Sequence, residues 1–579
     1  MGTARNCVWK MPAAQNGENK PEAASSVCSP LLGQILCARG IASPGEQAEF
    51  LSDRPGKTYD PFLLNDMEAA VKRMMRALEQ EEKICIFGDY DADGVTSTVL
   101  LLSVLEKLTE NLTYYIPSRF AEGYGLNADA VRKIAQSGVK LLVTVDCGSL
   151  SREEVRLAQE LGVDVIVTDH HSIGKEPAAD CLLINPKRAE STYPFSELSG
   201  CGVAFKLAQA LQRKLAAAGD QRLLRSDITD TLDLVAVSTI GDIVALTDEN
   251  RSLVKYGLNV LNQGKRAGMR ALIAGTGLRL GAVTSEQVAY VLVPHLNAAG
   301  RMGSADKGVE LLRGHEGAQQ ETLVQFLVEN NKERKRVQEE MFHECRRIAE
   351  QEHGGELFQV IYAPQAHEGI AGIVAGKLKD ESYRPTIIVT PSGEGKLKGT
   401  GRSIPGVDLH RLLSAHRELF LRFGGHKGAC GFLMEADGLD ELRRGLNAEL
   451  AQMAAAEPAL LTEVLTVEAV AEPREITMEL AMELAKLEPF GQQNPKPIFA
   501  VRNVEIQRVS FMGSEEQHAR FYAAGSKSGS AGFDCVLFSH AQEYRALLRE
   551  GNVADVAGYP SVNTWNGISK IQFVIEDIK

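Results

Sequence analysis

Between residues 83 and 260, short apolar runs alternate with amphipathic stretches. Residues 83–88 (KICIFG) predict a buried strand and residues 96–108 the helix that follows it. Residues 141–145 (LLVTV), 163–168 (VDVIVT) and 181–185 (CLLIN) predict further strands, with residues 152–161 as one of the intervening helices. Strand and helix alternating at this spacing predict an α/β fold: a parallel, doubly wound sheet with helices on both faces. Residues 321–351 are densely charged and hold no Gly or Pro, which predicts one long helix, either a connector or a surface helix. A second α/β unit spans 357–453, opening on the apolar run 357–362 and continuing through TIIVT (386–390) between Pro385 and Pro391. From about residue 495 the pattern changes to short β-like segments at 498–501, 519–523, 534–539 and 571–575, which predict a small barrel or sandwich. The expected division is 1–65 (N-terminal segment), 66–320 (first α/β domain), 321–352 (helix), 353–454 (second α/β domain) and 455–579 (β domain).

Length and composition agree with this division. A chain of 579 residues has room for roughly three or four domains of about 150 residues each. Its 44% hydrophobic and 24% charged residues are the ordinary balance of a globular protein. Residues 1–12 contain no apolar core segment, residues 13–27 are polar and Ala-rich, and position 6 is Asn6 rather than the Ser or Thr of a myristoylation signal. The apolar runs are too short to span a bilayer. A cytoplasmic protein without a membrane partner is therefore expected. None of the ten cysteines forms a Cys-x-x-Cys pair, which argues against a thiolate zinc site or a disulfide framework. Cys85, Cys181 and Cys535 lie in apolar runs and read as small core residues.

The net charge of −13 argues, as an average, against a nucleic-acid partner. Two features change that picture. A metal site needs carboxylates, which count as negative until ions bind. Between residues 384 and 428, eight Lys/Arg face three acids, so a local basic stretch sits inside an acidic whole.

The sharpest chemical signal is GDYDADG at 88–94, directly after the first buried strand. Three carboxylates at alternating positions there are unfavourable unless something neutralises them, and hard divalent cations take such oxygen ligands. An EF-hand is excluded, because its twelfth position would be Leu100 or Leu102 rather than Glu. For this segment alone, a solvated acidic turn remains the alternative. The pattern recurs: Asp146 follows a second strand, Asp169-His170-His171 follow a third, and Asp242 follows another apolar run. Ligands of an open parallel sheet bind outside the carboxyl ends of its strands, so these loops should converge. A mixed Asp/His set suits two Mn²⁺ or Mg²⁺ ions.

Asp169-His170-His171, together with Asp89-x-Asp91-x-Asp93, resembles the DHH phosphoesterase superfamily. Over nearly the whole chain the resemblance is to its RecJ branch, the single-strand-specific 5′→3′ exonucleases. Residues 59–67, PSR at 117–119 with EGYG at 122–125, GVAFK at 202–206 and NAAGR at 297–301 carry it in order. The resemblance implies Asp91, Asp93, Asp146, His170 and Asp242 as metal ligands. By the same resemblance Asp89 and His171 are catalytic residues that either help ligate the metals or orient water and the scissile phosphate, and Asp169 supports its neighbouring His. Phe87 departs from relatives that place a ligating His there. The second α/β unit, with GTGRS at 399–403, GGHK at 424–427 and HEGI at 367–370, resembles the DHHA1 substrate-binding domain, although Ala366 stands where the family has Trp. By resemblance, Arg119, Thr400 and Arg402 hold a 5′ phosphate, and Arg301 and His426 hold phosphates near the metals. The C-terminal segment, after LEPFG at 487–491, resembles an OB-fold that binds single strands, with Phe511, Phe521, Tyr522 and Trp565 as stacking candidates. Eight basic and nine acidic residues from 499 onward leave open the reading that most of these aromatics are core.

The function implied is a metal-dependent exonuclease on single-stranded DNA that releases mononucleotides in recombination and repair. A single-strand-binding protein and a helicase are candidate partners, and a monomer is the default. A small-substrate phosphodiesterase and a non-catalytic scaffold are the alternatives. The length and the C-terminal domain argue against the first, and the complete ligand set against the second.

Overall fold

The computed structural model describes residues 7–12, 28–52, 56–119, 122–123, 125–173, 181–302, 304–314, 317–525, 531–565 and 567–579. Two compact units emerge. One comprises Ser52–Arg334 with Glu488–Pro495; the other comprises Met1–Leu51, Lys335–Leu487 and Lys496–Lys579. The long helix Ala318–Glu352 begins in the first and ends in the second.

The first unit is built on a five-stranded, all-parallel sheet. Its order is Leu112–Tyr115, Ile84–Gly88, Leu141–Val145, Asp164–Thr168, Leu182–Ile184. The strands are nearly continuous in Val, Ile and Leu because both faces are covered. Alternate side chains feed two cores. Ile84, Ile86, Leu141, Val143 and Ile166 pack on one face with the helices Ala92–Leu105, Gly200–Ala217 and Leu232–Gly241. Cys85, Phe87, Leu142, Val165 and Val167 pack on the other with Ala128–Gln136 and Arg152–Glu160. The doubly wound sheet is thus as expected, with an added edge strand, Leu112–Tyr115, whose half-buried residues give no clean alternation.

In this order the chain reverses direction across the sheet between Ile84–Gly88 and Leu141–Val145. Such a switch point opens a crevice at the carboxyl ends of the two strands. Asp89, Asp91 and Asp93 follow one of them and Asp146 the other.

In the second unit, a mixed five-stranded sheet pairs Gln359–Tyr362 parallel to Thr386–Pro391, then runs antiparallel through Lys396–Arg402, Ala429–Glu435 and Phe420–His426. The C-terminal strands Phe499–Met512, His518–Gly525, Gly532–Leu537, Ile568–Ile578 and Val553–Trp565 close into a barrel, because the first also pairs with the last. Closure removes free sheet edges. Strand Cys7–Lys10 pairs in parallel with Glu463–Thr466, and Trp9 Nε1 and the Tyr544 hydroxyl both donate to buried Asp577. Among the described residues, no helix is long and apolar enough to cross a membrane.

Three expectations are corrected. Asp242 does not follow a strand; it caps the C-terminus of helix Leu232–Gly241, whose apolar run is buried on all sides by neighbouring helices. Phe521 is 3% exposed and belongs to the barrel core, so it offers no stacking surface. Cys181 is only partly buried and lies before its strand. The side chains of Tyr124 and Trp565 lie outside the described residues.

Candidate active site

The turn after Ile84–Gly88 runs directly into helix Ala92–Leu105. Asp91 is the N-cap: its Oδ1 accepts from the Asp93 and Gly94 amides at 2.9 and 3.1 Å. Gly94 is required by close approach, since a Cβ there would lie 2.4 Å from the Asp89 carbonyl oxygen. Asp93 is held by a second helix start. Its carboxylate accepts from the amides of Gly200 (2.7 Å) and Cys201 (2.8 Å) and from the Ser238 hydroxyl (2.7 Å). A helix N-terminus stabilises a buried anion of this kind.

Asp146 adopts φ 61°, a left-handed conformation that Asp tolerates better than most residues. Asp169 is fully engaged within the protein. Its Oδ1 accepts from the amides of His170 and His171 and from His171 Nδ1 at 2.8 Å, and its Oδ2 accepts from the Ser149 amide. Nδ1 therefore carries a proton. His170 Nε2 lies 3.1 Å from Asp146, 3.5 Å from Asp242 and 3.7 Å from Asp93.

Three groups of potential ligand atoms result, each within 4.8 Å: Asp146, His170 and His171; Asp93, His170 and Asp242; Asp89, Asp91 and Asp146. The donor set fits hard divalent ions. The carboxylates are too close to coexist ionised in an apolar setting, and the buried Asp89 Oδ1 has no hydrogen-bond partner. Burial, then the neighbouring Asp charges, pushes Asp89 and Asp146 well above the usual carboxylate range and Asp242 up to about 8. Burial lowers His170 to about 4, so its ring is neutral at physiological pH, the form that ligates. Burial opposes the charge on His171, yet the hydrogen bond that it donates to Asp169 prevails and raises it to about 9.

All seven sequence-predicted residues of this cluster thus converge. Arg119 also lies at this site: its guanidinium is 5.1 Å from the centre of the Tyr90 ring. The positive charge of Arg301 acts on the same Tyr90 phenol. Thr400, Arg402 and His426 belong to the other unit. There Arg402 and His426 are both registered with Ala429, and Thr400 lies across Gly431 from Gly424. A row of small residues therefore separates the polar side chains. Sequence reading missed Asn185, whose side-chain amide donates to the Ser149 hydroxyl (2.9 Å) and to the His171 carbonyl (3.0 Å). A lone amide ending an apolar strand was its signal.

Residues 83–239 match the DHH family, N-terminal domain; residues 356–452 match the DHHA1 domain; residues 467–577 match the RecJ OB domain. Over 95% of its length the chain is 38% identical to the single-stranded-DNA-specific exonuclease RecJ of Bacillus subtilis (strain 168), covering 68% of that protein. Over 95% of its length it is also 34% identical to the Escherichia coli (strain K12) RecJ, covering 96% of it. The chain belongs to the RecJ family. The RecJ of Thermus thermophilus in complex with Mn²⁺ matches it at a TM-score of 0.81 and 28% identity, over 99% of this chain and 80% of that one. The same RecJ in complex with Mg²⁺ matches at 0.77 and 27%, over 99% and 78%. The expected domain types, in the expected order, are those of RecJ.

Proposed function

We propose that this chain is a single-strand-specific DNA exonuclease that hydrolyses phosphodiester bonds from the 5′ end, releases 5′-mononucleotides and serves DNA recombination and repair in the cytoplasm. The observation that carries the reading is the sharing of Asp146 and His170 among the three ligand groups, which makes one continuous site large enough for two ions. Asp89, Asp91 and Asp146 would hold one ion, and Asp93, His170 and Asp242 the other. Two Mn²⁺ or Mg²⁺ ions held there would supply a nucleophilic water at neutral pH and stabilise charge on the leaving oxygen.

The protein's own groups do the rest. Asp89, with an unpartnered oxygen, orients water and accepts its proton. His171, kept cationic by Asp169, donates from Nε2 to the scissile phosphate. Arg119 and Arg301 neutralise phosphates beside the metals. In the second unit, Arg402 and His426 flank small residues that let a sugar–phosphate backbone approach, and Thr400 donates a hydroxyl; together they recognise the 5′ phosphate and its neighbour. Tyr522 and Phe511, partly exposed, are the stacking candidates of the barrel. By family resemblance the proposal extends to a monomeric enzyme that works with a single-strand-binding protein and a helicase.

The test offers purified protein and Mn²⁺ a single-stranded oligonucleotide, its duplex and an RNA copy, with Asp91→Ala as control. Mononucleotides from the single DNA strand alone, lost in the variant, support the reading. Equal digestion of the duplex contradicts it.

A further inference from the structure

The helix Val293–Met302 carries Arg301, but its contact with the metal-ligand turn is made by another residue. Asn297 Oδ1 accepts from the Ala92 amide at 2.7 Å. Ala92 stands between Asp91 and Asp93 and is the first residue of its helix, so its amide has no intrahelical partner. Asp91 Oδ1 already caps the next two amides. Gly300, one turn beyond Asn297, presses on the same turn, where an added Cβ would lie 2.4 Å from the Tyr90 carbonyl oxygen.

The helix itself is braced. It follows a π-helical turn, Val288–Leu292, of the kind found at functional sites. His295 Nδ1 donates to the Val291 carbonyl at 2.6 Å, so its Nε2 accepts from the Asn331 amide at 3.1 Å. Asn331 Oδ1 in turn accepts from Arg334 Nε and Nη2 at 3.1 and 2.8 Å. All three side chains are buried. One directed chain of hydrogen bonds thus runs from the long helix to the element that holds the Asp91–Asp93 turn.

We propose that Asn297 is a positioning residue for the metal site. By satisfying the Ala92 amide, it leaves Asp91 one oxygen that no helix amide competes for. Without that acceptor the Asp91 carboxylate must also cap Ala92, and the oxygen meant for the ion is drawn away. The inference rests on the two-ion reading above and concerns one residue that it does not use.

The test is Mn²⁺ binding by titration calorimetry on the full-length chain, without substrate. Asn297→Leu removes the acceptor at similar size; Asn297→Asp keeps one. Loss of such a supporting contact lowers metal affinity by about tenfold to a hundredfold, and that loss is expected for N297L, while N297D stays within about threefold of wild type. Should N297L not fold by circular dichroism, N297S, whose hydroxyl is one bond too short, must show the same weakening. Wild-type Mn²⁺ affinity in a folded N297L or N297S overturns the proposal, as does equal weakening in N297D. A wild-type chain that binds no Mn²⁺ overturns the metal reading instead.

Discussion

Asp169 Oδ1 lies 2.8 Å from His171 Nδ1 and accepts a hydrogen bond from it, so the imidazole is fixed in one orientation and kept cationic up to about pH 9. Asp169 itself is held below the usual carboxylate range: burial works against this, and the bond from His171 outweighs it. Asp169→Asn removes the charge and allows the opposite tautomer. His171 should then titrate near its ordinary value, and activity should fall by about a hundredfold. The loss should be larger at pH 8 than at pH 6. Rate profiles across that range check this, and parallel profiles for wild type and variant contradict it.

The metal-free protein should weaken as pH rises. The folded-state value of Asp242, about 8, lies above the ordinary carboxylate value, and Asp89 and Asp146 shift in the same direction. The folded state therefore binds protons that the unfolded state releases, and stability declines from about pH 4 to about pH 8. Raised His171 has the same sign. Thermal unfolding in EDTA should show a lower midpoint at pH 8 than at pH 5, and added Mg²⁺ should raise the pH 8 midpoint. A pH-independent midpoint in EDTA contradicts the clustering of buried acids.

Asp146→Ala should separate function from stability. It removes the carboxylate shared by two ligand groups, so activity should drop by about a thousandfold or more. It also removes a buried carboxyl group crowded by Asp93, Asp91, Asp242 and Asp89, whose mutual repulsion nothing offsets once the cations are chelated, so the EDTA midpoint at pH 8 should rise. Unfolding curves with and without Mn²⁺ distinguish the two effects. A variant less stable than wild type in EDTA contradicts the second.

Adjacent aromatics on one barrel strand should behave oppositely. Phe521 is core, and its replacement by Ala should destabilise the barrel by about 3–5 kcal/mol. Tyr522 is partly exposed, with the Arg508 guanidinium 4.1 Å from its ring centre. Tyr522→Ala should leave stability nearly unchanged and weaken single-strand binding by about 1–3 kcal/mol. Unfolding and fluorescence anisotropy on both variants read this directly; unchanged binding by Y522A removes the residue from the substrate path.

Much of the site was legible in the sequence because parallel strands are apolar runs and a polar residue ending one stands out. Asp89, Asp146 and Asp169 are of this kind. Asp242 was found for a reason that the fold corrects: a helix buried on every side has the same apolar run as a strand. The edge strand Leu112–Tyr115 was not legible, since its residues are all half-buried. Nor was the length of Phe499–Met512, whose register shifts twice, between Val501 and Val504 and between Gln507 and Ser510. Asn297 accepts from one distant backbone amide, and Asn185 donates to the Ser149 hydroxyl and the His171 carbonyl; such hydrogen bonds leave no periodic signature.

The central claim is polarity at a metal-dependent site. The most direct measurement is digestion of one single-stranded oligonucleotide, labelled at its 5′ end in one reaction and at its 3′ end in another, with Mn²⁺ and stopped at early times. The 5′ label is expected to appear at once as a mononucleotide, while the 3′ label persists on a ladder of shortening strands, and EDTA or Asp91→Ala is expected to abolish both. Early release of the 3′ label, or undiminished cleavage in EDTA, would contradict the claim.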